Sequence, residues 1–202
     1  NIFKKKKLKI FSEKGERDLI GYVKDKNFSL KILFVHAREA IDALANSTAD
    51  VAISGKDLLF NSNTNIQRKI KLYKNLNFGH ASLKIFRSIY WIDCQSLLDV
   101  SEIARNNPIK LITKYRLLVE NFLAEKNVRN VEVIDSNGAT EIAVRINQAS
   151  LVADISSSGK TAAANDLVEL SHGLILKTSA ALMVSKKSYK RKEVQKFLKF
   201  IT

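Results

Sequence analysis

Histidine, cysteine and long apolar runs are scarce in this 202-residue chain. The single cysteine, Cys94, excludes a disulfide within the sequence and fits a reducing compartment. Three scattered histidines and that cysteine form no cluster with metal-ligand spacing, and no nucleophile–base triad stands out. No stretch approaches the roughly eighteen apolar residues of a membrane-spanning helix. Lys4-Lys5-Lys6-Lys7 has no long apolar core behind it, so it does not read as a secretory signal. A low-complexity linker and an internal repeat are also missing. The expected protein is cytoplasmic, with no membrane partner.

Hydrophobic residues make up 46% of the chain and charged residues 27%, the balance of a globular protein with a real core. The 34 basic and 20 acidic residues give a formal charge of +14, which predicts attraction to polyanions such as nucleotides, phosphosugars or nucleic acid. No aromatic-basic RNA motif, zinc spacing or helix-turn-helix pattern accompanies it, so nucleic acid is not the expected partner. Much of the excess sits in Lys4 to Lys7 and in Lys186 to Lys199, and such runs are usually solvated faces.

The most informative stretch is LVADISSSGKTAAANDL, residues 151–167. The run Leu151-Val152-Ala153 has strand character and ends in Asp154, before Ser156, Ser157, Ser158, Gly159, Lys160 and Thr161 and an alanine-rich helical start. A strand, a Ser/Gly/Thr loop and a helix gather backbone amides, hydroxyls and a partial positive charge around a phosphate. Lys160 adds a full charge, and Asp154 ends the strand where a sugar hydroxyl could be held. An ordinary strand–loop–helix connection with a capping serine or threonine accounts for the same letters. The loop is neither a Walker loop nor a G-x-G-x-x-G turn.

Other elements follow from periodicity. Leu8 to Phe11 and Ser29 to Val35 read as strands, and Ala37 to Leu44 as a helix. A strand over Ala49 to Ile53 ends in Ser54-Gly55-Lys56-Asp57 before another helix, a second unit of the same type. Strands are expected near Ile70 to Tyr73 and Ser82 to Ile92. From Leu97 onward helix and strand alternate: helix to Arg105, strand Lys110 to Thr113, helix Leu118 to Lys126, strand Val131 to Ile134, helix near Ala139 to Ile146, then the Leu151 strand. Such alternation argues for a parallel α/β sheet. Val168 to Val184 reads as two strands around Ser171-His172-Gly173, and a basic amphipathic helix closes the chain from about Tyr189 to Phe200. Crossings near 85–93 and 175–184 then divide the chain into two lobes, with the Gly55 and Gly159 loops facing one cleft. Singly, Cys94 reads as a buried small hydrophobe, His80 as a turn or surface residue, His172 as structural, and Tyr90 and Trp91 as core.

Ordered motifs carry a resemblance. Ala49 to Leu59 is similar to the pattern A-D-L-G-I-T-G-K/R-D-x-L, Leu76-Asn77-Phe78-Gly79 to L-G-F-G, and Thr113-Lys114-Tyr115 to A-T-K-Y. Asn137-Gly138-Ala139-Thr140-Glu141 resembles L-G-A/S-x-E, and Asp154 to Leu167 resembles D-I/L-V-S-T-G-x-T-L-x-x-N-x-L. Leu170 to Leu176 and Ala180 to Leu182 match the same family's end. These are the motifs of the catalytic subunit of ATP phosphoribosyltransferase, which starts histidine biosynthesis, and the similarity runs from about residue 33 to 185.

The resemblance implies an α/β fold with two lobes like type II periplasmic binding proteins and an active-site cleft between them. Residues 1–88 plus 180–202 would form the ATP and diphosphate lobe, and 89–179 the lobe for phosphoribosyl diphosphate. It implies a transferase joining N1 of ATP to ribose C1 with release of diphosphate. The alternative is an inactive or non-catalytic binding subunit of the same fold. By resemblance, Ser156 to Thr161 cradle the 5′-phosphate, Glu141 and Asp154 hold the ribose hydroxyls, and Lys14, Arg17, Gly55, Lys56 and Asp57 lie on the ATP and diphosphate side. Magnesium is the implied cofactor, brought with the substrate. With no room for the further regulatory domain of about 70–80 residues that long members carry, the chain resembles the short form. Short forms work with a separate regulatory subunit similar to histidyl-tRNA synthetase. Departures from the pattern lie mainly in the first lobe: Glu13-Lys14-Gly15-Glu16-Arg17 replaces P-K-G-R, and His36 stands where V-R-P-S-D has arginine. In the phosphate loop Lys160 replaces arginine, which keeps the charge and loses the bidentate fork.

Overall fold

The structure is a computed structural model that describes residues 6–12, 19–26, 28–136, 140 and 142–202. The elements begin with β1 (Ile20–Lys24), β2 (Ser29–Leu33), α1 (Ala37–Ala45), β3 (Val51–Gly55), α2 (Lys56–Phe60), α3 (Thr64–Lys69), β4 (Ile70–Asn75) and β5 (Ala81–Ser88). There follow α4 (Leu97–Asn106), β6 (Ile109–Thr113), α5 (Arg116–Glu125), β7 (Val131–Asp135), α6 (Ile142–Arg145), β8 (Leu151–Ser156), α7 (Lys160–Ala164), β9 (Leu167–Thr178), β10 (Ala180–Ser185) and α8 (Lys192–Ile201). The chain divides into two compact units.

The first unit takes Asn1–Ser54, Thr64–Leu76 and Ala181–Thr202. Its sheet runs β3-β10-β4, and β10 is central because Ala181 to Ser185 are all buried. β10 pairs antiparallel with β4, with a bulge between Leu182 and Met183. α8 buries Val194, Phe197, Leu198 and Ile201, the i, i+3, i+4, i+7 stripe expected of a surface helix. Phe28 packs edge-on against Phe197 and Phe200, with ring centroids 5.5 and 5.1 Å away. β1 and β2 form a separate antiparallel hairpin.

The second unit takes Gly55–Asn63 and Asn77–Ala180. Its five strands run β7-β6-β8-β5-β9. β6 is parallel to both β7 and β8, whereas β5 is antiparallel to β8 and β9, so the expected parallel sheet is a mixed one. β8 begins Leu151-Val152-Ala153, all buried, the unbroken apolar run that a strand covered on both faces requires. One face joins Ile85, Leu111, Leu151 and Ala153 to α4 and α5, through Val100, Ala104, Val119 and Leu123. The other joins Phe86, Ile112 and Val152 to Ala143 of α6 and to Leu167.

Several boundaries differ from those expected. The chain passes between units at 76/77 rather than near 85–93, because β5 is paired on both sides within the second unit. Residues 81–88, expected in the first lobe, thus group with the second, as do Gly55–Asn63. The return at 180/181 falls inside the expected stretch. Ser171-His172-Gly173 is no turn: β9 continues through it, with His172 at φ +63° and register shifts against β5. Tyr90 and Trp91 lie beyond β5. Tyr90 is 79% exposed and only Trp91 packs on the core.

Candidate functional site

The site grows from the end of β8. Asp154 is the strand's first ionisable residue and is half-buried. Its carboxylate is fixed from two sides: the Thr140 hydroxyl donates to Oδ2, and the Ile155 N–H donates to Oδ1 at 2.7 Å. Two residues on, the Ser156 Oγ accepts from the Gly159 N–H at 2.9 Å, which folds Ser156-Ser157-Ser158-Gly159 into a closed turn. Gly159 holds φ +73°, the left-handed region, and a Cβ there would meet nothing within 4 Å. Its glycine is favoured by conformation and not by crowding. The turn opens into α7, of only five residues, so its macrodipole is small and the expected helix-end attraction falls to the loop and to Lys160.

Asp154 and all of Ser156, Ser157, Ser158, Gly159, Lys160 and Thr161 line one cavity of about 90 Å³, floored by Phe86, Val152 and Leu167. The arrangement puts hydroxyls, one ammonium and one carboxylate around an apolar floor. That combination suits a phosphate ester next to a hydroxylated ring.

The sheet explains why the cavity lies there. The connection after β6 runs through α5 on one face, and the connection after β8 runs through α7 toward the other. Neighbouring strands whose connections leave to opposite faces open a crevice at their carboxyl ends, the usual ligand position in such sheets. Thr113 bridges this point, donating its hydroxyl to the Ala153 carbonyl at 2.7 Å and accepting the Tyr115 N–H at 2.9 Å.

α2 belongs to the same sheet edge. The Asn61 side chain donates to the Lys114 carbonyl at 3.0 Å, and its oxygen accepts the Leu118 N–H at 3.4 Å, at the end of β6. At the end of β9 the Thr178 hydroxyl donates to Asp57 Oδ1 at 2.7 Å and accepts the Asp57 N–H at 3.2 Å. The Asp57 carboxylate is buried and folded back so that a Cβ on Gly55 would lie 2.5 Å from its Oδ1. Gly55 and Asp57 thus shape the start of α2. Lys56 is half-buried and anchors its N–H on the Ser179 carbonyl at 3.2 Å.

Lys14, Arg17 and Glu141 fall outside the described residues, as do Asn137, Gly138 and Ala139. Thr140 is the residue that sequence reasoning passed over. It stood inside the quoted Asn137–Glu141 motif without a role, and the structure makes it the group that orients Asp154. Cys94 is buried, as expected of a small hydrophobe, and burial pushes its thiol up to about 11. His80 is exposed, 3.2 Å from the Asn77 side-chain oxygen. Among the described residues no group of three or more His, Cys, Asp or Glu could hold a metal, and no helix is long and apolar enough to cross a membrane.

Two compact units, one built on a mixed sheet with a ligand-type crevice at its strand ends, define the class. Two solved structures share the fold. An ATP phosphoribosyl transferase (HisG:HisZ) complex from Thermotoga maritima superposes with TM-score 0.74 at 18% identity, covering 99% of this chain and 88% of that one. A probable amino-acid ABC transporter extracellular-binding protein from Bacillus subtilis gives 0.53 at 14% identity, over 83% and 68%. The fold is the two-lobed α/β fold of type II periplasmic binding proteins. The family model of HisG, ATP phosphoribosyltransferase, matches residues 36–202, and the chain belongs to that family. An ATP phosphoribosyltransferase from Rhodopseudomonas palustris is 32% identical over 178 residues, 85% of this chain and 54% of that protein. The chain therefore spans about half the length of that relative.

Proposed function

We propose that the chain catalyses the ATP phosphoribosyltransferase reaction, the first step of histidine biosynthesis. The observation that carries the reading is the Asp154–Thr140 pair beside the closed Ser156–Gly159 turn, at the strand ends of a chain that belongs to this family. In the proposed mechanism Ser156 to Thr161 hold the 5′-phosphate of phosphoribosyl diphosphate. Asp154, kept in place by Thr140, takes the ribose hydroxyls together with Glu141. N1 of ATP attacks ribose C1, the C1–oxygen bond breaks, and diphosphate leaves with the bonding electrons. Positive charge builds at C1 as the bond loosens, and the Asp154 carboxylate stabilises it from the ribose side. A reaction of this type needs positioning and charge neutralisation rather than a nucleophilic side chain.

Lys14, Arg17 and Lys56 are proposed for the diphosphate and ATP phosphates, with Gly55 and Asp57 setting the start of α2. Among the described residues no carboxylate cluster fits a magnesium ion by itself. Magnesium, as the cofactor brought with the substrate, would supply charge neutralisation at the diphosphate. A regulatory subunit resembling histidyl-tRNA synthetase is the proposed partner in a cytoplasmic hetero-oligomer. The shared fold with a HisG:HisZ complex supports that reading.

The test is diphosphate release from ATP and phosphoribosyl diphosphate with magnesium, with and without the regulatory subunit. Turnover in either condition is expected. No turnover with phosphoribosyl diphosphate still bound in calorimetry would overturn catalysis, and no binding at all would overturn the loop assignment as well.

A further inference from the structure

The formal charge of +14 is not spread over the molecule. Counted over described residues, the first unit holds 18 basic and 5 acidic side chains, and the second 12 and 11. A general compositional drift toward lysine would raise both units alike, yet the second stays balanced. Of the five ion pairs among the described residues, four lie in the second unit, and the first has only Arg191–Asp50, at 3.0 Å. The excess in the first unit is therefore local and largely uncompensated.

Much of it gathers on one surface. β4 is an edge strand of its sheet and carries Lys71 and Lys74, and Lys69 ends α3 just before it. The Lys186 N–H donates to the Lys69 carbonyl at 2.8 Å, which sets the exposed lysines 186, 187 and 190 beside that edge. Between them stands Tyr189, with the Lys71 ammonium 3.8 Å from its ring centroid and the Tyr73 ring 6.4 Å away. α8 continues the surface with Lys192, Lys196 and Lys199, exposed at i, i+4, i+7 opposite its buried stripe. From 186 to 202 the chain has seven basic residues against one acidic residue, Glu193. Asp50, the nearby carboxylate, is engaged by Arg191.

We propose that this face of the first unit binds single-stranded polynucleotide, through its phosphate backbone and without sequence preference. Lysine rather than arginine dominates it, and lysine is depleted in protein–protein interfaces while serving phosphate as a mobile point charge. Tyr73 and Tyr189, half-buried beside Lys71, set aromatic rings among these charges, the combination used by tracts that bind single strands. An acidic protein partner would satisfy the charge without using the aromatic rings.

The probe is a fluorescein-labelled oligouridylate of about 20 nucleotides, followed by anisotropy on the whole chain between about 50 and 200 mM salt. With four or five phosphates neutralised, log K should fall with log salt at a slope of about −3. The triple variant Lys186→Gln, Lys187→Gln, Lys190→Gln should bind more than about tenfold more weakly at low salt, with a slope shallower by about 2. The charge-matched control in the second unit, Lys110→Gln, Lys126→Gln, Arg129→Gln, should bind like the parent, and thermal melts confirm that both variants are folded. Absence of binding at the lowest salt, or equal weakening by both triples, overturns the proposal. Displacement of the probe by polyglutamate as readily as by unlabelled oligonucleotide also overturns it, in favour of an acidic protein. None of these readouts depends on turnover, so they stand apart from the phosphoribosyltransferase reading.

Discussion

The two units treat charge in opposite ways. The second spends it internally: Lys84 holds Glu169 at 2.6 Å, Arg145 holds Asp166 at 2.6 Å, and Asp99 accepts the Gln95 and Ser96 N–H groups at 2.8 and 2.7 Å. Those amides and the Ser96 hydroxyl keep the Asp99 carboxyl below its ordinary range. The first unit turns its lysines elsewhere: Lys71 sits over the Tyr189 ring, Lys74 donates to the Thr202 carbonyl at 3.1 Å, and Lys186, Lys187 and Lys190 are exposed. A unit that holds the Asp154 carboxylate in one orientation beside the Ser156–Gly159 turn gains from a balanced, hydrogen-bonded frame, because stray charge would compete for the same partners. The unit without that duty is free to become strongly basic.

Breaking the second unit at its centre should have the largest effect. Asp154→Asn keeps the shape and removes the charge, and kcat/KM for diphosphate release should fall by about 10²–10³-fold with little change in Tm. If the lysine-face triple in the first unit gave a loss of that size, the division of labour would be wrong. A smaller effect, read in stability, is expected from Gly55→Ala. The new Cβ would sit 2.5 Å from Asp57 Oδ1, so the Asp57–Thr178 contact must move, at a cost of about 1–3 kcal/mol measured by denaturant unfolding. The smallest effect concerns Cys94, whose buried thiol is raised to about 11 from an ordinary value of 9.0. Folding favours the neutral thiol, so its contribution is complete below about pH 9 and is lost as pH rises toward 11. Near neutral pH a disulfide reagent should leave it untouched until denaturant is added.

The site's scaffold was legible because its signals are local. An apolar run ending in Asp154 and a Ser/Gly loop needs only neighbours in sequence, and the structure places that strand and turn where the letters put them. The alternation from Leu97 to Ser156 was readable for the same reason. What escaped depends on distance along the chain. Thr140 matters through a contact with Asp154, fourteen residues on. The β5 register, which decides the unit boundary, depends on pairing with strands far away in sequence. β9 looked like two strands because Ser171-His172-Gly173 is polar, although a bulge accommodates it without a turn. α3 has no buried residue, so it shows no periodicity to detect. β1, IGYVK, directly follows a polar stretch in the sequence, which hides its short alternating pattern.

The excursion of Gly55–Asn63 has a consequence for how this architecture is inherited. Asp57 clasps the end of β9 and Asn61 the end of β6, yet both come from a segment preceding the rest of their unit and separated from it by α3 and β4. A gene fragment encoding 77–180 would leave the Thr178 hydroxyl and the Lys114 carbonyl without these partners. No single uninterrupted stretch of chain therefore encodes the second unit together with both clasps.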